Sequence, residues 1–386
     1  MRVCLVSLDF PPVRASSLAT HADLLASKLV ADGHDVTVIA ARRADTPAQA
    51  RVGQVQVERV AIGRSDWIGY SLRATRRLQY LHRKQPFDVI HFLELHFAWA
   101  YRGPYIATLH QSFLQRLIAD NGRPYASSWY NLIFRWLYYS AAIYIMERPS
   151  IQHATALISV SATTAKAFAD QFDIDLAKII INHETTNLER FQAQPEEVVS
   201  ALRQRLGLEG YRILLYVGFS TPRKGIEYLA TALHELPSDV RLVLVGKWEP
   251  GYREKVMAAA GAAWERVCEV GFVADEDLAA YYSLADLVVL PSLLEGFGIP
   301  ALESLACETP VVATTAGALP EVVGECGRLV PSRDAHALAS AIRELLDNPA
   351  LRHQLASQCR PRVLKYFSPQ QEYATVLRVY SDIMNM

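Results

Sequence analysis

Short apolar runs of strand length alternate with stretches whose apolar residues recur at helical spacing, and the alternation continues along nearly the whole chain. From the N-terminus, "RVCLVSL", "HDVTVIA", "DVIHF", "YIATLH" and "ALISVS" read as strands, with a helix near 17–32 after the first. A second series follows: "YRILLYVG", "VRLVLVG", "RVCEVGF", "DLVVLPS" and "PVVAT", separated by helices near 225–236, 251–262, 275–284 and 299–308. Strands that alternate with helices predict βα units built on parallel sheets. The polar stretch around Gln192–Gly210 divides the two series. The expected fold is α/β: two Rossmann-like doubly wound domains, 1–191 and 192–368, with the carboxyl ends of both sheets bordering a ligand cleft. Helices at 334–347, 350–364 and 369–384 close the chain, and the last, 369–386, is expected to pack back on the first domain.

A length of 386 residues suits two domains, and 51% apolar residues with a formal net charge of -1 describe a globular chain rather than a disordered one or a nucleic-acid binder. The charge is uneven, with 21 Lys+Arg against 16 Asp+Glu in residues 1–190 and 18 against 24 afterwards. Five scattered cysteines without a Cys-x-x-Cys pair support neither a disulfide framework nor a zinc knuckle. The opening apolar run is too short for a signal peptide, and no run has the length of a membrane span. These features predict a cytoplasmic protein, at most peripheral at the inner face of a membrane.

The chemistry concentrates in "PSLLEGFGIPALESLACETPVVAT", which sets two carboxylates, Glu295 and Glu303, in otherwise core-like sequence. Glu295 falls on the loop after a strand. Pro300 suits the first turn of the next helix, where its missing N–H costs nothing, so Glu303 lies one turn in. Gly296 and Gly298 allow close backbone approach, and a helix start offers N–H groups to an anion. A carboxylate accepts two hydroxyl hydrogen bonds at once, as a ribose diol offers, and the ligand is expected to supply the partners a core lacks. The plain alternative is a capping glutamate and a surface glutamate. In "VGFSTPRKG", Arg223 and Lys224 follow a strand ending at Gly218, where two cations suit a diphosphate; a solvated Arg-Lys turn is the competing reading. "VGKWEPG", with Gly246, and "VGFVADEDL", with Phe272 and Val273, end two further strands and suit a base or simply tight turns.

The run from "GFVADEDL" to "ALPEVV" resembles the retaining glycosyltransferases of family 4, whose GT-B fold pairs two Rossmann-like domains. The resemblance extends to the opening strand–loop–helix and "GHDVTVIA". It implies that the family's Glu-x7-Glu pair falls on Glu295, at the donor sugar, and Glu303, at the ribose. Gly296, Phe297, Gly298 and Ile299 would present N–H groups to sugar or diphosphate, and Lys224 matches the diphosphate lysine. The family's arginine position holds Phe219, making Arg223 the replacement. Phe272 and Val273 match the base loop, Glu321 is a weaker match, and His110, in "ATLHQ", matches a histidine near the donor sugar. The usual Gly-Gly of the first loop is missing; Arg14, Ala15, Ser16 and Ser17 stand there, which makes Arg14, Ser16 and Ser17 acceptor-side candidates.

The resemblance thus implies transfer of a sugar from a nucleoside-diphosphate donor, a UDP-sugar favoured and GDP-mannose next, to the hydroxyl of a glycan, lipid-linked or small-molecule acceptor, with retention. No cofactor or metal is expected. The alternatives are an inactive nucleotide-sugar-binding or scaffold protein of the same fold and a GT-B epimerase or phosphorylase. Asp173/Asp175, Asp275/Asp277 and the set His91, Glu94 and His96 lack the surroundings of a metal site. The aromatic stretch Ser127–Met146 predicts a buried helix or an oligomer interface, with contact to an anionic membrane as the other reading.

Overall fold

The computed structural model describes residues 1–13, 17–43, 45–63, 66–119 and 129–385. The chain divides into two compact units: Met1–Leu114 with Trp136–Glu184 and Gln370–Met386, and Gln115–Arg135 with Thr185–Pro369.

In the first unit the strands are β1 (Arg2–Val6), β2 (Asp35–Arg42), β3 (Gln49–Val52), β4 (Val55–Ala61), β5 (Val89–Phe92), β6 (Ile106–Leu109), β7 (Ala156–Ser159) and β8 (Ile179–Ile181). They form one sheet in the order β3-β4-β2-β1-β5-β6-β7-β8, parallel throughout except that β3 pairs antiparallel with β4. Successive side chains of a strand point to opposite faces, so β1 feeds two cores. Val3 and Leu5 join the helix Ser17–Ala31 and the terminal helix Pro369–Met384, through Leu25, Leu29, Val376 and Tyr380. Cys4 and Val6 join the helix Trp67–Lys84 through Tyr70, Ala74 and Leu78. Burial on both faces explains why these strands read as continuous apolar runs.

Two polar contacts fix the terminal helix. His21 donates to Glu372 at 2.7 Å with both side chains partly buried, and His91 lies between the hydroxyls of Tyr380, at 2.9 Å, and Thr108, at 2.8 Å. Burial pushes the His91 ring down to about 3, so it is neutral. The aromatic stretch is not a buried helix: from Trp129 it continues as Trp129–Ala142 and a π-turn at Ile143–Glu147, with Tyr139 and Ile143 inward and Trp136, Leu137, Tyr144 and Ile145 exposed.

The second unit contains β9 (Arg212–Val217), β10 (Val240–Val245), β11 (Val267–Gly271), β12 (Leu287–Leu290), β13 (Val311–Thr314) and β14 (Gly327–Val330), all parallel, in the order β11-β10-β9-β12-β13-β14. The winding direction reverses between β9 and β12, which opens a crevice at their carboxyl ends. The loops that follow these two strands meet there, and the Leu293 N–H donates to the Arg223 carbonyl at 2.8 Å.

The Asp-x-Asp pairs serve the backbone and ion pairing. Asp173 ends the helix Ala162–Phe172 with a left-handed φ of 55°, Asp175 caps the next turn by accepting from the Ala177 N–H, and Asp275 pairs with Arg190 at 3.5 Å.

Candidate functional site

At the crevice of the second unit the two candidate loops supply opposite charges. Lys224 and Arg223 form the turn Pro222–Lys224 after β9, and Glu295 lies on the loop between β12 and the helix Ile299–Ala306. The Lys224 ammonium is hydrogen-bonded to the Glu295 carboxylate. The Ser292 hydroxyl donates to the same oxygen, Oε1, at 3.0 Å, and Arg223 stands 3.8 Å from Oε2 while donating to the Leu294 carbonyl at 2.9 Å. Burial pushes Glu295 up, but Lys224, Arg223 and the Ser292 hydrogen bond outweigh it and hold the carboxyl below its ordinary value. Burial lowers Lys224, and Glu295 only partly restores it. Glu295 is therefore an ionised carboxylate shared by two cations, and Arg223 stands beside it although Phe219, 53% exposed, occupies the usual arginine position.

This overturns one expectation, that the carboxylates lack protein partners. Glu303, one turn into its helix, accepts from the Tyr282 hydroxyl at 2.7 Å. Burial pushes Glu303 up to about 8; the hydrogen bonds from Tyr282 and Thr186 pull it down, while the charge of Asp275 adds to the rise. It is a neutral acid at pH 7, unlike Glu295. A hydroxyl pair prefers the ionised form as acceptor. If Glu303 receives ligand hydroxyls, ligand affinity should therefore strengthen as pH rises towards about 8 and level off above it, by up to about tenfold per pH unit. Glu303→Gln should flatten that profile in isothermal titration, and an unchanged profile would exclude the assignment.

Two glycines allow the loops to converge. Gly225 has a φ of +64°, and a Cβ there would stand 2.1 Å from the Pro291 carbonyl oxygen. Gly317, after β13, was not among the sequence candidates; its φ is +56° and a Cβ would fall 1.8 Å from the Glu295 carbonyl oxygen. The "TTAG" turn was the available signal, but nothing local says which backbone it approaches. Gly317→Ala should cost about 1–3 kcal/mol by overpacking and shift the Glu295 loop. Gly207→Ala, at a φ of +65° with nothing within 4 Å, reports the conformational strain alone. Urea denaturation that gives equal losses for both would show that Gly317 is not crowded.

The other candidates separate. Gly218 and Gly246 have a backbone reason: a Cβ on Gly246 would stand 2.0 Å from the Gly218 carbonyl oxygen. Gly298 has a φ of 104° and opens the helix that Ile299 and Pro300 begin. The Phe297 ring is buried against Phe367 at 5.7 Å, so only its backbone can serve a ligand. Phe272 is 66% exposed with the Lys247 ammonium over its ring at 5.1 Å, and Val273 is buried. Glu321 lies in the first turn of the short helix Leu319–Val323, which Arg362 holds by its Glu321 and Val322 carbonyls.

In the first unit His110 follows β6. Its Nε2 donates to the Leu93 carbonyl at 2.9 Å and its Nδ1 lies 3.2 Å from the buried Glu184 carboxylate. Both nitrogens thus have protein partners, so contact with a ligand needs the ring edge or exchange of Glu184. Arg14, Ala15 and Ser16 lie outside the described residues, and Ser17 opens the helix Ser17–Ala31. The zinc reading of "HFLELH" fails: Glu94 accepts from the Leu8 N–H at 3.1 Å, His96 stacks on Trp67, and His91 holds Tyr380 and Thr108. Among the described residues no group of three or more His, Cys, Asp or Glu is placed to hold a metal ion.

Comparison with known proteins agrees with this architecture. The family description "Glycosyltransferase Family 4" matches residues 18–190 and "Glycosyl transferases group 1" matches 199–362. An MMP alpha-(1->4)-mannosyltransferase of Mycolicibacterium hassiacum is 32% identical over 329 residues, covering 81% of this chain and 74% of that one. A glycogen synthase of Mycobacterium tuberculosis is 28% identical over 420 residues, 98% and 94% of the two chains. Among solved structures, a sucrose-phosphate synthase from Thermosynechococcus elongatus superposes with a TM-score of 0.85 at 24% identity, covering 100% of this chain and 99% of that one. Anabaena HepE in complex with UDP-glucose superposes with a TM-score of 0.75 at 19% identity, covering 99% and 100%. The chain belongs to family 4 of the glycosyltransferases, with the GT-B fold, and is a glycosyltransferase enzyme.

Proposed function

We propose that the enzyme transfers a hexose from a nucleoside-diphosphate sugar to an acceptor hydroxyl with retention of the anomeric configuration, a UDP-sugar being the favoured donor and GDP-mannose the next. The observation that carries this reading is the convergence of Lys224 and Arg223 on Glu295 at the strand-order reversal of the second sheet, with Glu303 one turn along the adjoining helix. The donor preference rests on the relatives: one solved neighbour holds UDP-glucose and a sequence relative is a mannosyltransferase.

In this reading the diphosphate exchanges with Glu295 for Lys224 and Arg223, and the N–H groups from Gly296 to Ile299 face its oxygens. The bond between the anomeric carbon and the phosphate oxygen breaks, and the charge that develops on the diphosphate is stabilised by the two cations. The acceptor oxygen attacks from the same face, and its proton passes to the departing phosphate oxygen. Released from Lys224, Glu295 accepts hydrogen bonds from sugar hydroxyls. Glu303 takes the ribose hydroxyls, Phe272 and Val273 border the base, and His110 is kept as the first unit's candidate for the sugar. Positive charge comes from side chains, so the reaction calls for no metal.

The test is donor turnover followed by proton NMR, in which the sugar first released or transferred must carry the donor's anomeric configuration. An inverted product would remove the mechanism. A chain that binds donor without any turnover would turn the assignment to the inactive binding protein.

A further inference from the structure

Two neighbouring segments of the first unit turn large apolar side chains outward. Trp136, Leu137 and Tyr144 are 59%, 64% and 66% exposed, and Ile68 and Leu72, on the helix Trp67–Lys84, are 40% and 37% exposed. The rings of Trp67, Phe113 and Tyr139 link the segments beneath, at 5.7 and 5.8 Å between centroids. Further along the helix Trp67–Lys84 the exposed residues become cationic: Arg76, Arg83 and Lys84 face solvent, and Lys84 and Arg77 lie over the Tyr80 ring at 4.6 and 5.0 Å. That helix contains no Asp or Glu, and between Trp129 and His153 the only acidic residue is Glu147, which is buried and accepts from the Phe113 N–H at 2.7 Å.

We propose that this surface docks on an anionic lipid bilayer. Exposed aromatic and aliphatic side chains beside cations match a headgroup boundary, where the apolar groups enter the acyl region and the cations meet phosphates. The nearby carboxylates Asp66 and Glu58 are paired with Arg73 at 2.6 Å and Arg77 at 2.9 Å, while Arg76, Arg83 and Lys84 face solvent. A second copy of the chain fits less well, because Arg76, Arg83 and Lys84 would need acids from the facing copy, and among the described residues the nearby acids Asp66, Glu58 and Glu147 are already engaged by Arg73, Arg77 and the Phe113 N–H. Among the described residues no helix is long and apolar enough to cross a membrane, so the contact is one of lying on the surface. The proposal stands independently of the donor assignment.

The test is co-sedimentation of the full chain with vesicles of phosphatidylcholine alone or with phosphatidylglycerol added. Each cation near an anionic surface adds about fivefold to partitioning, so the phosphatidylglycerol vesicles should hold at least about tenfold more protein, with the excess lost at high salt. The pair W136E/L137E and the pair R76E/R83E, all at exposed positions, should each abolish binding while leaving the circular dichroism and donor affinity unchanged. Absence of binding, binding equal on both lipids, or binding that survives both pairs would overturn the proposal. So would a dimer, seen by sedimentation velocity, that W136E/L137E dissociates while vesicle binding is unaffected.

Discussion

Lys224→Met should lower kcat/KM by about 10²–10³-fold, the scale of losing one charged donor from a developing oxyanion, or roughly 3–4 kcal/mol of transition-state stabilisation. It should also destabilise the second unit, because it leaves the buried Glu295 carboxylate with Arg223 at 3.8 Å as its remaining cation. Removing one partner of a buried ion pair costs about 3–5 kcal/mol. The two losses are separable. In the double variant Lys224→Met/Glu295→Gln no buried carboxylate is stranded, so urea denaturation should show stability largely restored, while turnover stays below that of Glu295→Gln alone because the diphosphate still lacks its lysine. Turnover equal to that of Glu295→Gln alone would show that Lys224 is only a structural counterion.

Replacing Glu372 by glutamine should weaken the first unit, and the loss should depend on pH in a defined direction. Burial alone would lower the His21 pKa, but Glu372, with smaller help from Glu184 and Glu94, raises it to about 9. The folded value thus lies above the unfolded one. The stabilisation is fully present below pH 6.5 and is lost as pH rises through about 9, and it amounts to roughly 3 kcal/mol at most. Hydrogen exchange at Tyr373 to Tyr380 reads the hold on the terminal helix directly. Native protein should lose protection between pH 6.5 and 9 beyond the intrinsic rate, whereas Glu372→Gln should show low protection across that range. Equal protection in both would mean that the apolar contacts of Val376, Val379 and Tyr380 suffice.

The sequence was most informative where burial on both faces writes a continuous apolar run, as in "RILLYV" and "RLVLV", the central strands β9 and β10. It was least informative at sheet edges. The edge strands β3, β8 and β14 are only four, three and four residues long, too short for a periodic signal, and β4, seven residues beside β3, alternates apolar with polar positions instead of running apolar throughout; none of them was anticipated. In the site, loop positions could be read locally: Pro300 and Gly298 mark where a helix starts, and that places Glu295 before it and Glu303 within it. The partners could not. Lys224 and Glu295 are 71 residues apart, Tyr282 and Glu303 are 21 apart, and the approach of Gly317 to Glu295 is set by the packing of β13 beside β12. Charges in a core-like run look unanswered until the turn after β9 brings Lys224 to Glu295 and the helix Leu278–Leu284 brings Tyr282 to Glu303.

The central claim is that the second unit holds a nucleoside-diphosphate sugar with Lys224 on the diphosphate and Glu303 on the ribose. Thermal shift of the native chain and of Lys224→Met and Glu303→Gln against UDP-, GDP- and ADP-sugars tests it most directly. At about 100 times Kd the correct donor should add roughly 2.7 kcal/mol to the native protein, and each variant should lose most of that gain. A native chain that none of the three donors stabilises, or a gain that both variants keep in full, would contradict it.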